Sequence, residues 1–305
     1  MKSGLAPVAL FAYNRPSHLE RTLRSLLACE GADLTAITVF IDGPKSASSA
    51  AVTEEVRRVA LDALGARADI RVQASNQGLS NSIIAGVGAL LAEHGTAIVV
   101  EDDLTLAPQF LEFMNAALQR YRTNENVFQV SGHMFDVPEF ADRSEAMFLP
   151  FTTTWGWATW DRAWKAFDAT AAGWIRLRED KLLRRRFDLN GVYPYTWLME
   201  RQQRGQSDSW GIRWYWSVFK RNGVSLFPPV SMVRNNGQDG SGTHGKGVVA
   251  KFNLETERSI LESPVLPDLA KVNAPDFALV RKAIWRQNGA WKGWALNKFR
   301  QIAGI

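Results

Sequence analysis

The chain has 305 residues, 46% apolar and 22% charged, so it can bury a core of ordinary size without staples. Cys29 is the single cysteine, which excludes an internal disulfide, and no stretch reaches the roughly 18 uninterrupted apolar residues of a membrane span. The net charge of +5 sits in residues 276–305, where Arg281, Lys282, Arg286, Lys292, Lys298 and Arg300 face only Asp276; the rest is neutral, which argues against nucleic-acid binding.

In chain order, Ala6–Tyr13 is a short apolar run suited to a strand covered on both faces. Pro16 fits the first turn of a helix continued by Leu19, Leu23, Leu26 and Leu27, with Cys29 at its end as a buried structural thiol. Ala36–Ile41 predicts a second strand, stopped by Asp42-Gly43-Pro44. Val52, Val56, Val59 and Ala63 mark a second helix, and Asp69–Gln73 a third strand. Leu79–Glu93 predicts a third helix ending near Gly95, and Thr96–Val100 a fourth strand that runs into Glu101-Asp102-Asp103. Phe110, Met114, Leu118 and Tyr121 line a further helix.

This alternation predicts an α/β fold, Rossmann-like, with a mostly parallel central sheet and helices on both faces. Such sheets bind ligands beyond the carboxyl ends of their strands. Three polar clusters fall there: Asn14-Arg15, Asp42-Gly43 and Glu101-Asp102-Asp103. Any one of them is ordinary strand-end punctuation, but three at one edge point to a site.

After residue 130 the pattern loosens. Phe151–Trp216 is rich in tryptophan, Gly237–Gly247 is a glycine-rich loop, and Pro264–Pro275 reads as a linker. The chain thus divides into a regular half (1–130), a looser Trp-rich half with the glycine-rich loop (131–262) and a linker with a basic amphipathic segment (263–305).

Three adjacent carboxylates repel one another in a cleft, and a divalent cation relieves that repulsion. Hard cations such as Mg²⁺ and Mn²⁺ take few protein oxygens and complete their shell with phosphates. A strand ending in acids therefore suggests a metal–diphosphate site; the plainer alternative is a helix N-terminus dressed with acids.

The stretch Ala97–Phe113, with Glu101-Asp102-Asp103 inside it, resembles the metal-binding segment of the N-acetylglucosaminyltransferase I family. Leu10–Arg15, Val39–Gly43 and Gly156–Trp160 are similar to other segments of that family in the same order, and Asn76–Ser80 resembles the broader family 2 glycosyltransferases. The resemblance covers about residues 6–165. It implies a GT-A fold and a metal-dependent, inverting transfer of a sugar, N-acetylglucosamine foremost, from a UDP-sugar to a polysaccharide or glycolipid acceptor. It further implies Asp103 as metal ligand, Asp102 at the ribose or the metal's water shell, Glu101 facing the donor sugar, Asp42 at a uracil nitrogen, and Arg15 near the phosphates. Asn76 and Gly78 would line the donor cleft or simply cap a turn. Mn²⁺ or Mg²⁺ is the implied cofactor.

An inverting transfer needs one base opposite the leaving group. Asp208, in Ser207-Asp208-Ser209-Trp210, resembles the family's Asp-x-Trp neighbourhood; Asp161, Asp239 and Glu200 compete, and a helix-capping role is the alternative. Trp155 and Trp157, in a loop-like stretch, are the acceptor-stacking choices, whereas Trp160, Trp164 and Phe167 fit a helix face and read as core. His244, in the glycine-rich loop with Lys246, is a second metal ligand or part of a plain surface loop. The basic C-terminal segment, with Ile284 and Trp285, suits an anionic membrane surface, or else a helix docked on the body. Met1–Gly4 lacks signal-peptide character, so the expected location is cytoplasmic, peripheral on the inner membrane face. A nucleotide-sugar-forming nucleotidyltransferase would carry a Gly-rich basic loop where Asn14–Ser17 stands. A non-catalytic carbohydrate-binding or membrane scaffold would leave the acidic triplet without a purpose.

Overall fold

The computed structural model describes residues 4–237 and 263–287. The first half runs β1 (Val8–Ala12), α1 (Pro16–Leu27), β2 (Ile37–Ile41), α2 (Ala47–Leu64), β3 (Asp69–Val72), α3 (Leu79–His94), β4 (Thr96–Glu101), β5 (Leu104–Leu106), α4 (Phe110–Arg120) and β6 (Val127–Ser131). The second half adds β7 (Met147–Leu149), β8 (Trp157–Trp160), the short helices α5 (Asp161–Trp164), α6 (Arg176–Glu179) and α7 (Lys181–Phe187), then α8 (Tyr195–Gln203), α9 (Trp210–Phe219), β9 (Val224–Phe227), β10 (Val233–Asn235) and α10 (Ala274–Gln287).

Eight strands form one sheet in the order β3-β2-β1-β4-β8-β6-β9-β7, in which only β8 and β7 run against the others. This is the mostly parallel α/β sheet that the apolar runs predict. The order steps outward from β1 to β3 and then jumps back, so that β4 lies on the other side of β1. Right-handed crossovers then put α1 and α2 on one face and α3 on the other. The β1/β4 boundary is therefore the switch point of the sheet, where a crevice opens beyond the strand ends.

β1 and β2 are buried along their whole length, as continuous apolar runs require. Pro16 opens α1, whose Leu19, Leu23 and Leu26 are fully buried. Gly95 closes α3 in the left-handed region, φ 77°, with its N–H on the Leu91 carbonyl. β6, β8, β9 and β7 extend the same sheet into the second half, where a second core gathers Phe151, Phe187, Tyr215 and Phe227.

The fold corrects three side-chain expectations. Trp157 belongs to β8 and is fully buried, stacked on Trp210 with centroids 5.2 Å apart. The threonines and glycine just before it made that strand look like a loop. Trp160 closes β8 and does not share a helix with Trp164 and Phe167, although all three pack against the first core. Ile284, expected at a membrane surface, is fully buried with Val280 and Ala283, so α10 docks on the second core. Trp285 stays 45% exposed, and residues 288–305 lie outside the described part.

Cys29 is 5% exposed, and its thiol donates to the Ser25 carbonyl at 3.3 Å and the Ala107 carbonyl at 3.4 Å. Burial pushes its pKa up to about 12. At neutral pH the thiolate is thus almost absent and shielded. A disulfide reagent should leave the native protein unlabelled over the time in which urea-unfolded protein reacts fully; prompt native labelling would contradict this burial.

Candidate functional site at the strand ends

Register brings the polar clusters together. Ala12 pairs with Ile41 and Phe11 with Glu101, so the chain beyond β1, β2 and β4 leaves the sheet at one level. Arg15, Asp42 and the acidic triplet therefore share one edge.

Arg15 lies between the last two acids. Its Nη2 donates to Asp102 Oδ1 and, at 3.0 Å, to Asp103 Oδ2. Asp102 is 4% exposed, and its carbonyl accepts from Thr22 Oγ1 at 2.7 Å. Burial pushes the Asp102 carboxyl up to about 6 against the lowering pull of Arg15. Glu101 is raised as well, by loss of water and by the charges of Asp103 and Asp102. With Glu101 pushed toward its neutral form, Asp102 and Asp103 share the guanidinium of Arg15 among the described residues.

The acidic turn is held from below. β5 pairs with β10 in a two-stranded ribbon, Leu104 opposite Asn235, and Asn236 N donates to the Asp103 carbonyl at 2.7 Å. Gly237 follows directly. A Cβ there would press on the Asp103 carboxylate and lie 2.9 Å from Arg15 Nη1, so any larger residue must shift this pair of side chains.

Asp42 forms a second centre. It is 6% exposed. Its Oδ1 accepts from Gly43 N at 2.9 Å and Gln77 N at 2.7 Å; its Oδ2 accepts from Asn76 Nδ2 at 2.8 Å and Gly78 N at 2.9 Å. The four acceptor positions of the carboxylate are filled from within the chain. Asn76 and Gly78 thus meet Asp42 as its partners, and the carboxylate anchors the turn that leads into α3. Gly78 has φ 80°, which glycine tolerates at this N-cap. Gly43 lets the Ser75 backbone approach, where a Cβ would meet Ser75 Cα at 2.6 Å. Beside this turn Lys45 stands over the Tyr13 ring, 5.6 Å from its centroid.

On the other side of β4, Gly132 N donates to the Gly156 carbonyl at 2.6 Å, joining the end of β6 to the start of β8. Gly156 has φ 56°, and a Cβ there would crowd Val233 Cγ1 and Phe110. Trp155 is half-buried, edge-on to His133 at 4.6 Å. His133 is buried, which drops its pKa to about 3, so it is a neutral packing partner here.

Asp208 is exposed, and its carboxylate pairs with Arg213 at 2.9 Å. Its carbonyl accepts from Ser80 Oγ at 3.1 Å, which seats it on the first turn of α3, at the same edge as Asp42. The cap of α9 is Ser209, whose side chain accepts from Ile212 N, so capping does not explain Asp208. Asp161 sits at the opposite edge: its N–H bonds the Gly95 carbonyl before β4 begins. Glu200 pairs with Arg178 at 3.1 Å. His244 and Asp239 lie outside the described residues.

Thr22 and Gly237 escape a reading by strand ends. Thr22 carries a faint signal, a hydroxyl inside the Leu19-Leu23-Leu26 stripe; Gly237 looks like any loop glycine.

Among the described residues no three His, Cys, Asp or Glu side chains converge to enclose a metal. The donor set still fits a hard divalent ion of the kind that takes few protein oxygens. Asp103 keeps an oxygen without a hydrogen bond among the described residues, and it shares the Arg15 guanidinium with Asp102.

No family model matches the chain. Its fold superposes loosely on solved glycosyltransferases. Glucosyl-3-phosphoglycerate synthase from Mycobacterium tuberculosis, solved with Mn²⁺, UDP and glucosyl-3-phosphoglycerate, is 13% identical with a TM-score of 0.34; the match covers 55% of this chain and 59% of that one, less than two thirds of its length. A mannosyltransferase from Pyrobaculum calidifontis, in complex with GDP-mannose and Mn²⁺, is 13% identical at a TM-score of 0.38, over 71% of this chain and 68% of its own. The galactosyltransferase LgtC, in complex with donor and acceptor sugar analogues, is 13% identical at 0.35, over 56% and 64%.

Two substitutions test the geometry. Asp42→Asn turns an amide N–H toward donors and should cost roughly 1–3 kcal/mol of stability in urea unfolding. A neutral effect would mean that Asp42 does not anchor the turn. Gly237→Ala should leave the unfolding midpoint nearly unchanged, since Gly237 lies outside both cores, yet weaken any ligand-linked stabilisation by Mn²⁺.

Proposed function

We propose that the protein is a metal-dependent glycosyltransferase that moves a sugar from a nucleotide-diphospho-sugar, a UDP-sugar foremost, to a saccharide or glycolipid hydroxyl. One observation carries this reading: Glu101-Asp102-Asp103 leaves the end of β4 at the switch point of the sheet, with Asp102 and Asp103 sharing the Arg15 guanidinium at that crevice.

Asp103 would hold a Mn²⁺ or Mg²⁺ ion, with Asp102 behind it, and that ion's charge offsets the charge developing on the departing diphosphate. Arg15, already at the two acids, is within reach of the same phosphates. Glu101 faces the donor sugar. Asp42 acts by holding the Asn76–Gly78 turn in place, and Tyr13 with Lys45 offers the nucleoside a ring and a cation beside it. Trp155 lies half-open near the end of β6 and gives the acceptor an aromatic face. Asp208, exposed at the first turn of α3, accepts the acceptor hydroxyl proton as the sugar is attacked opposite its leaving group, which is the inverting course. Arg213 keeps that carboxylate turned to a fixed position. N-acetylglucosamine is the first sugar to test, on the resemblance of the acidic segment.

The chain's thermal unfolding should rise with a UDP-sugar and Mn²⁺ together and with neither alone. Asp103→Asn should abolish that joint shift; a shift that survives would end the metal assignment. Asp208→Asn should keep the joint shift and lower transfer by about 10²-fold or more, as loss of a general base does. Unchanged turnover would remove Asp208 as the base.

A further inference from the structure

Helices α6 and α7 face the second core through Leu177 and Phe187, both fully buried. Ile175, just before α6, is 43% exposed, and Leu182, in the first turn of α7, is 76% exposed. Between and beside these stand Arg176, Lys181 and Arg185, all exposed. None of the three cations has a side-chain hydrogen bond or ion pair among the described residues.

The neighbouring acids are mostly engaged. Asp180 caps α7 by accepting from Leu182 N and Leu183 N at 2.9 Å each. Asp188 accepts from Thr196 N at 2.7 Å, and Glu200 is paired with Arg178. Glu179 remains exposed. Residues 174–190 hold six basic and three acidic side chains, so the strip is a positive surface tipped with aliphatic groups.

We propose that this α6–α7 strip docks the protein on an anionic lipid bilayer. A soluble polyanion would use the cations and leave Ile175 and Leu182 in water. A bilayer takes both, with guanidinium and ammonium groups at the headgroups and aliphatic tips at the acyl boundary. α10 competes poorly for that part, because it commits Val280, Ala283 and Ile284 to the core. The strip also connects to the site: Arg178 ties α6 to α8, and Gln202 of α8 accepts from Ser209 N beside Asp208. Docking stands without the transfer reading; where that reading holds, the acceptor class is a lipid-linked saccharide.

The test is sedimentation of the full chain with vesicles of phosphatidylcholine alone and of phosphatidylcholine mixed with phosphatidylglycerol. Binding is expected only to the anionic vesicles, falling as salt rises. Lys181→Glu with Arg185→Glu should weaken it by about ten-fold or more. Leu182→Ser should weaken it too, with the salt dependence unchanged. All three side chains are exposed, so circular dichroism and the unfolding midpoint should stay at wild-type values. Replacing Lys292, Lys298 and Arg300 by serine should preserve most of the binding. The proposal is overturned if the wild type ignores anionic vesicles, if the helix variants bind as the wild type does, if the tail replacement alone abolishes binding, or if Leu182→Ser has no effect. Vesicle binding is read without a sugar donor, so its failure is separate from failure of the transfer reading.

Discussion

Like charges gathered at the end of one strand constrain the rest of this molecule. Glu101, Asp102 and Asp103 come together where the strand order reverses, and among the described residues the guanidinium of Arg15 meets Asp102 and Asp103. Much of the surrounding architecture keeps that grouping in place. Thr22 holds the Asp102 carbonyl from α1, and Asn236 holds the Asp103 carbonyl from β10.

A second carboxylate does the opposite work. Asp42 is nearly as buried as Asp102, but four donors meet it, so its charge is spent on organising backbone. Two acids at one sheet edge thus take different parts because of their neighbours: Asp102 shares a guanidinium with Asp103, and Asp42 is saturated. The distinction depends on which N–H groups point inward, which is a property of the β3–α3 turn and not of the residue type.

The first half of the fold is legible in the sequence because its signals are local. Continuous apolar runs mark β1, β2 and β4, and a leucine stripe marks α1; each lies where the pattern puts it. The shared edge of Arg15, Asp42 and the triplet was legible too, since parallel strands end together. The second half resists reading because its elements are short and its partners distant. β8 has four residues, all buried, with Trp157 packed among tryptophans of α5 and α9, so no polar alternation marks it as a strand. The saturation of Asp42 and the close approach of Gly237 to Asp103 arise only when residues more than thirty positions apart meet.

β8 has a further consequence. By running antiparallel between β4 and β6, it welds the two halves into one slab, with Val99 opposite Trp157 on one side and Ser131 opposite Trp157 on the other. Relative sliding of the halves would break that ladder, so structural variation falls to exposed connections such as the one that carries Asp208. Those connections are free to diversify while the slab keeps the acidic edge unchanged. A lineage, or a laboratory library, can therefore vary the exposed segment around 204–208 while the ladder beside the acidic edge is inherited unaltered.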